Sequence, residues 1–158
     1  MSVESDSGRV AAIYIAEAAG APMEPLEQIK AMAGFGLEGD RYALGTGAYS
    51  RASRETIRHV TLFAREVIDA ANAENGTDFS EADTRRNIVT EAVELNGLVG
   101  VRFAIASVAL RGVELCTPCV RPDKLSGKRG FNEAFQDRGG LRAEVLSSGL
   151  IRVGDFVG

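Results

Sequence analysis

Residues 95–119 read LNGLVGVRFAIASVALRGVELCTPC, and this stretch decides the fold class. Leu95 to Gly100, rich in glycine and asparagine, predicts a turn. Val101 to Leu110 alternates well enough to be a half-buried strand. Arg111-Gly112 reads as a hairpin turn into a further strand, Val113 to Leu115. The run ends in Cys116-Thr117-Pro118-Cys119, whose proline cannot donate to a ladder and so argues against a regular central strand.

The rest of the chain extends this β-rich reading. Upstream, Arg9 to Glu17 is β-branched and apolar and predicts a first strand, broken by Gly20-Ala21-Pro22. Glu27 to Met32 predicts a second short strand, Gly34 to Gly36 and Gly39-Asp40 mark turns, and Gly45 to Ser53 reads as an exposed polar loop. One clear helix is expected from about Leu62 to Asn75. There Leu62, Phe63, Glu66, Val67, Ala70, Ala71 and Ala73 give an approximate 3.6-residue stripe, with Thr61 as N-cap and Asn75-Gly76 as an αL stop. Ser80 to Asp83 resembles a capping box, and Asn87 to Ala92 is a strand candidate. Downstream, Asp123 to Gln136 predicts one or two short helices. Leu141 to Leu146 and Ile151 to Val157 predict two final strands joined at Ser147-Ser148-Gly149. Short strands between glycine turns, with one good helix, predict a mostly β barrel or sandwich with helical insertions.

Bulk properties narrow the functional classes. At 158 residues with no repeat, low-complexity segment or linker, the chain is expected to form a single domain over residues 8–158, with residues 1–7 a flexible tail. The formal net charge of −4 excludes a protein built to coat nucleic acid or an anionic membrane. No apolar run approaches the roughly 20 residues of a membrane span. The acidic N-terminus lacks the pattern of a signal peptide, so the expected location is cytoplasmic. In a reducing compartment a cysteine pair is more often catalytic or metal-binding than structural.

Cys116 and Cys119 are the only cysteines, and four readings of them stand side by side. They are two small buried hydrophobes, half of a zinc site, a redox pair, or a single functional thiolate at Cys119 with Cys116 as neighbour. A zinc site needs about four ligands, and His59 is the only histidine, which removes a structural zinc site within one chain. A thioredoxin-type pair belongs at a helix N-terminus in a βαβ setting, which the β-rich surroundings do not resemble. His59 itself reads as structural or surface, since no histidine triad can be assembled around it.

Cations follow the quartet at Arg121, Lys124, Lys128, Arg129, Arg138 and Arg142. They form a solvated basic face or, taken together, a field that lowers a thiol pKa and attracts an anion. Arg85-Arg86-Asn87 stands at the mouth of a predicted strand. In extended backbone Arg85 and Asn87 share one side. A guanidinium suits phosphate and an amide suits a heterocycle, so the two are candidates to line one pocket.

The order of motifs resembles the MOSC domain, found at the C-terminus of molybdenum cofactor sulfurases. The resemblance runs from Gly36-Leu-Glu-Gly-Asp-Arg41 and Val60-Thr-Leu62 through Arg85-Arg-Asn-Ile-Val-Thr90 and Leu98-Val-Gly-Val-Arg-Phe103 to the quartet. It continues at Arg138-Gly-Gly-Leu-Arg-Ala143 and Gly149-Leu-Ile-Arg-Val-Gly-Asp155. It implies a MOSC-type β-barrel and places the family cysteine at Cys119, as a molybdenum ligand or, in the sulfurase branch, a persulfide carrier. It further implies that Arg85 and Asn87 hold the pterin of the molybdenum cofactor, that Thr117 is the hydroxyl residue before the cysteine, and that Gly39, Asp40 and Arg41 match a family segment.

Two departures from larger relatives matter. The chain lacks the N-terminal barrel half of the amidoxime reducers, and it has no aminotransferase-like domain with a lysine for pyridoxal phosphate. The resemblance therefore implies a second subunit, as in a homodimer, or a sulfur donor or electron-transfer protein. Three functions follow as expectations. The first is a molybdenum cofactor-binding protein, an enzyme if it reduces N-hydroxylated small molecules. The second is a non-catalytic sulfur or cofactor delivery module. The third is a thiol-disulfide oxidoreductase using Cys116 and Cys119.

Overall fold

The structure, a computed structural model, describes residues 8–48, 50, 57–118 and 121–158. In chain order its strands are β1 (Arg9–Ile15), β2 (Glu24–Leu26), β3 (Gln28–Met32), β4 (Gly36–Leu37), β5 (Val60–Ala64), β6 (Ile88–Glu91), β7 (Arg102–Ile105), β8 (Val108–Leu115), β9 (Leu141–Val145) and β10 (Gly149–Arg152). The helices are α1 (Arg41–Leu44), α2 (Arg65–Asn75), α3 (Arg121–Ser126) and α4 (Phe131–Ala134), with 3-10 turns at Ala82–Thr84 and Leu95–Leu98. Among the described residues no helix is long and apolar enough to cross a membrane.

The deciding stretch does form a hairpin, but its turn is not at Arg111-Gly112. β7 pairs with β8 from Arg102↔Arg111 to Ile105↔Val108, and the chain reverses at Ala106, which takes φ 52°. Gly112 lies inside β8, just before a bulge that ends at Glu114. A Cβ there would sit 2.0 Å from the Leu98 carbonyl. The glycine marks a close backbone approach, not a turn.

A seven-stranded sheet in the order β2-β1-β6-β5-β9-β8-β7 curls round the main core, and a smaller sheet runs β10-β3-β4. The C-terminal residues stitch the curl together. Val10 N donates to Asp155 O and Val157 N to Gly8 O on the β1 side, while Ala106 N donates to Phe156 O and Ala104 N to Gly158 O on the β7 side. This mostly β, barrel-like architecture is the one expected. The final two strands, however, do not pair with each other: β10 crosses to β3, with Ile151 opposite Ile29.

The expected helix from Leu62 is corrected. Residues 60–64 form β5 and α2 begins at Arg65, with Ala64 rather than Thr61 as its N-cap. The C-terminal stop is as read, with Gly76 at φ 64°. The cause of the error is burial on both faces of β5. Leu62 points into the barrel core, while Phe63 joins a second cluster with Ile68, Ala71, Phe79, Phe131 and Phe135. A strand covered on both sides loses its alternation and reads as a continuous apolar run. β5 pairs parallel to β6, so β5-α2-β6 is a βαβ crossover that the sequence reading passed over. Phe131 stacks on Phe135 with ring centroids 4.6 Å apart, and Phe63 meets Phe135 edge-on at 5.2 Å. This aromatic layer seats α2 and α4 on the outer face of the sheet. The Ser80–Asp83 capping box is present, with Ser80 N donating to Asp83 Oδ2 and Asp83 N to Ser80 Oγ.

Candidate functional site

Where β6 begins, β8 ends and β9 crosses β5, a cleft of about 420 Å³ opens. Its walls include Arg41, Arg58, Thr61, Arg86, Asn87, Glu114, Cys116, Thr117, Pro118 and Arg142. Local backbone chemistry builds this corner. A Cβ on Gly139 would stand 2.5 Å from the Cys116 carbonyl, and one on Gly140 would stand 2.5 Å from the Leu62 carbonyl. The Gly139-Gly140 pair thus lets the entry to β9 press against both strands. Cys116 N donates to Gly140 O at 2.8 Å, and Arg86 Nε to Gly139 O at 2.9 Å.

Asp40 and Asn87 form the buried base of the site, with 0% and 1% of their surface exposed. Asp40 Oδ1 accepts from Ala16 N at 3.1 Å, Arg41 Nη1 at 3.0 Å and Asn87 Nδ2 at 3.2 Å. Asn87 Nδ2 also donates to Tyr14 O, and Asn87 Oδ1 accepts from both Thr61 N and Thr61 Oγ1. Every donor and acceptor of that amide is committed inside the protein. Asn87 therefore borders the cleft as its support. Asp40 is the hub that orients Arg41, whose Nη2 reaches Arg85 O at 3.0 Å.

Arg85 does not share a side with Asn87. It adopts φ 60°, the left-handed region, as the cap of the preceding 3-10 turn, so the extended geometry assumed for residues 85–87 does not hold. Arg86 takes the cleft position instead, and Arg85 turns into an adjoining pocket of about 50 Å³. Arg41, Arg86 and Arg121 also line that pocket, and Arg41, Tyr42 and Arg86 are common to both cavities. Arg85 Nη1 donates to Ala21 O at 2.7 Å, while its Nη2 is buried with no hydrogen-bond partner among the described residues. Burial, then the like charges of Arg41 and Arg121, push the Arg85 pKa down to about 10.

The remaining sequence candidates divide. Thr117 is exposed on the cleft wall and Cys116 is buried beside it. Cys119 lies outside the described residues. His59 is structural, since its Nδ1 accepts from Val145 N at 3.0 Å and burial lowers its pKa below 6.5. Among the described residues no cluster of three His, Cys, Asp or Glu could hold a metal ion.

The basic run after the quartet disperses. Lys128 pairs with Asp83 and Arg138 with Glu74, while Lys124 and Arg129 border a separate groove. Only Arg142 reaches the cleft and Arg121 the small pocket. Arg142 belongs to the basic run read from the sequence and Arg41 to a segment matched by resemblance, whereas Arg86 falls on the opposite side of the assumed strand and Glu114 carries no sequence signal. Arg142 and Glu114 are cross-strand neighbours forming an ion pair, and Glu114 is the one acidic side chain among the described cleft residues.

Comparison with known proteins agrees with this architecture. The YuaD protein from Bacillus subtilis superposes with a TM-score of 0.78 at 16% identity, over 96% of this chain and 94% of that one. YiiM from Geobacillus stearothermophilus gives a TM-score of 0.70 at 10% identity, over 95% and 73% of the two chains. YiiM from Escherichia coli gives 0.63 at 14% identity, over 94% and 68%. At these identities the likeness is one of fold. No curated protein sequence matches the chain. The family model of the MOSC domain matches residues 41–158, a span that holds α1, the Arg85-Arg86-Asn87 corner and the cysteine quartet. With a matching sequence model over most of its length and a barrel of the same build, the chain belongs to the MOSC domain family.

Proposed function

We propose that the chain binds the molybdenum cofactor, with Cys119 as the thiolate that meets the metal. The observation that carries this reading is the composition of the cleft wall. Cys116, Thr117 and Pro118, the residues directly before Cys119, form it together with the guanidiniums of Arg41, Arg58, Arg86 and Arg142. A polyanionic, phosphate-bearing pterin suits a cleft with this excess of positive charge. The unpartnered Nη2 of Arg85 next door supports the same fit, because a buried guanidinium N–H without an acceptor is costly and a phosphate oxygen would satisfy it.

The residues divide the work. Arg86, held by Gly139 O, and Arg142, held by Glu114, present fixed cations to the cleft. Asp40 and Asn87 keep Arg41 and the β5–β6 junction rigid. Thr117 offers an exposed hydroxyl beside the thiolate segment. The bound cofactor would supply two-electron chemistry at the metal, such as reduction of an N-hydroxylated compound. The thiol-disulfide alternative draws less support. Cys116 is 4% exposed and follows an antiparallel strand, outside the β5-α2-β6 crossover.

Metal and sulfur analysis of protein from a cofactor-competent host tests the reading. Near-stoichiometric molybdenum that disappears in Cys119→Ala is expected. Metal-free protein with a labile sulfur on Cys119 would identify a sulfur carrier instead. Protein with neither, and unchanged by the substitution, refutes a role for this thiol in cofactor chemistry.

A further inference from the structure

Two methionines stand among the described residues, Met23 and Met32, and both are half-buried. Their sulfurs keep different company. Met23 Sδ accepts from Arg41 Nη1 at 3.8 Å, whereas the sulfur of Met32 takes no hydrogen bond from any described residue. Met23 also lines an open groove of about 560 Å³ with Ile15, Glu17, Pro22 and Glu24. Its donor is no surface arginine. Arg41 is 7% exposed, and it gives Nη1 to Asp40 Oδ1 and Nη2 to Arg85 O, each at 3.0 Å. An Nη nitrogen carries two N–H groups. Nη1 therefore serves Asp40 with one and is left, for the other, with a thioether, which is a weak acceptor. A buried guanidinium is held at three points, and the third is poor.

The groove brings solvent to that sulfur. A thioether has two lone pairs, so the one engaged by Arg41 leaves the other to a reagent entering by the groove. The carboxylates of Glu17 and Glu24 repel anions, and a neutral hydroperoxide is the oxidant that passes them. We propose that Met23 is an oxidation site for hydrogen peroxide, and that Arg41 captures the sulfoxide formed there. The sulfur lone pair attacks one peroxide oxygen, and the S–O bond forms as the O–O bond breaks. Sulfur gives up two electrons and the peroxide takes them. The departing hydroxide collects the proton of the transferred oxygen and leaves as water. Rotation about the unbranched stem then turns the new oxygen to Arg41.

A sulfoxide within an apolar core disrupts packing. At Met23 it replaces a weak acceptor by a strong one beside a cation, and charge-assisted hydrogen bonds are the strong ones. Oxidation thus tightens the hold on Arg41, which also walls the cleft. A reaction in the groove reaches the cleft through one side chain.

The test uses the full cofactor-free chain in a Met32→Leu background, treated with hydrogen peroxide. Mass spectrometry should show one oxygen gained on the peptide that holds Met23. One sulfoxide epimer should exceed the other by about threefold or more, read with epimer-specific sulfoxide reductases, while the same oxidation in urea gives near-equal epimers. Oxidation should leave the melting temperature unchanged or raised. Met23→Gln, which sets an amide oxygen on a similar unbranched stem, should match the oxidised protein without peroxide. Met23→Leu, treated alike, subtracts oxidation at other residues, the cysteines included.

Met23 left unoxidised at a peroxide dose that converts most of the urea-unfolded chain overturns the site. Equal epimers from the folded protein overturn the engaged lone pair. A melting temperature that falls on oxidation by more than about 2 °C, after subtraction of the Met23→Leu control, overturns capture by Arg41. None of these outcomes depends on bound cofactor, so their failure is distinct from failure to find molybdenum.

Discussion

Replacing Asn87 by alanine separates a supporting side chain from a ligand-binding one. The resemblance to the family implies contact with cofactor, whereas the geometry shows an amide whose donors and acceptors all end within the protein. Asn87→Ala leaves Thr61 N without its acceptor and removes a donor from both Tyr14 O and Asp40 Oδ1, in a site that is 1% exposed at Asn87. Each buried group left unsatisfied costs about 1–3 kcal/mol, and since Asp40 Oδ1 keeps Ala16 N and Arg41 Nη1, the two orphaned groups together cost about 2–6 kcal/mol. For a domain of this size that lowers the melting temperature by about 4–24 °C. Asn87→Asp keeps the shape but sets a second carboxylate beside Asp40, and rescue is not expected because two buried like charges repel. Calorimetry on cofactor-free protein is the assay. A melting temperature of Asn87→Ala within about 2 °C of the parent refutes the structural role and returns the amide to the ligand.

Three further outcomes are expected. The unfolded chain protonates His59 near 6.5 and the folded chain only at lower pH. Stability is therefore full above that value and declines as pH falls from it toward the folded pKa; His59→Asn, which keeps an acceptor for Val145 N, should flatten that part of a denaturation-versus-pH series. Gly112→Ala, whose Cβ would meet Leu98 O at 2.0 Å, should cost about 2 kcal/mol or more, whereas Gly97→Ala, with nothing within 4 Å, should be near neutral in urea unfolding. Arg85→Met should leave the cofactor-free chain no less stable, since it removes a buried and repelled guanidinium, while abolishing any melting shift with phosphate. Marked loss of stability in that last variant would show that Arg85 serves the fold.

The sequence made the fold legible where one face of an element meets solvent. β3 and β7–β8 alternate, the αL stop at Gly76 is clear, and the Ser80–Asp83 box forms as read. It failed where an element is covered twice, as at β5, or where a glycine serves close approach, as at Gly112. The destination of β10 was hidden for a different reason. Ile151 is buried whether its strand pairs with β9 or with β3, so local pattern cannot choose. At the cleft, residue type drew attention to the Arg85-Arg86-Asn87 corner, but the arginine that lines the cleft there is Arg86 and not Arg85. One left-handed residue, Arg85, turns the chain by enough to exchange Arg85 for Arg86 at the cleft. No property of the tripeptide Arg85-Arg86-Asn87 announces that turn. The hub at Asp40 takes donors from its sequence neighbours Arg41 and Tyr42 and from Ala16 and Asn87, and only folding brings the last two to it.

The stitching of residues 154–158 between β1 and β7 also sets the order of assembly. Strand pairs that are near in sequence, such as β7–β8, can form early, but the last seam joins the two ends of the described chain, and loop-closure entropy makes it late. Until it forms, β7 presents a free strand edge, the kind of surface that recruits a neighbouring molecule. Once it forms, residues 8 and 157 are hydrogen-bonded neighbours. A short linker could then join them and new ends could be cut at an exposed turn such as Gly97, a circular permutant that retains the barrel and its cleft while reversing which seam closes last.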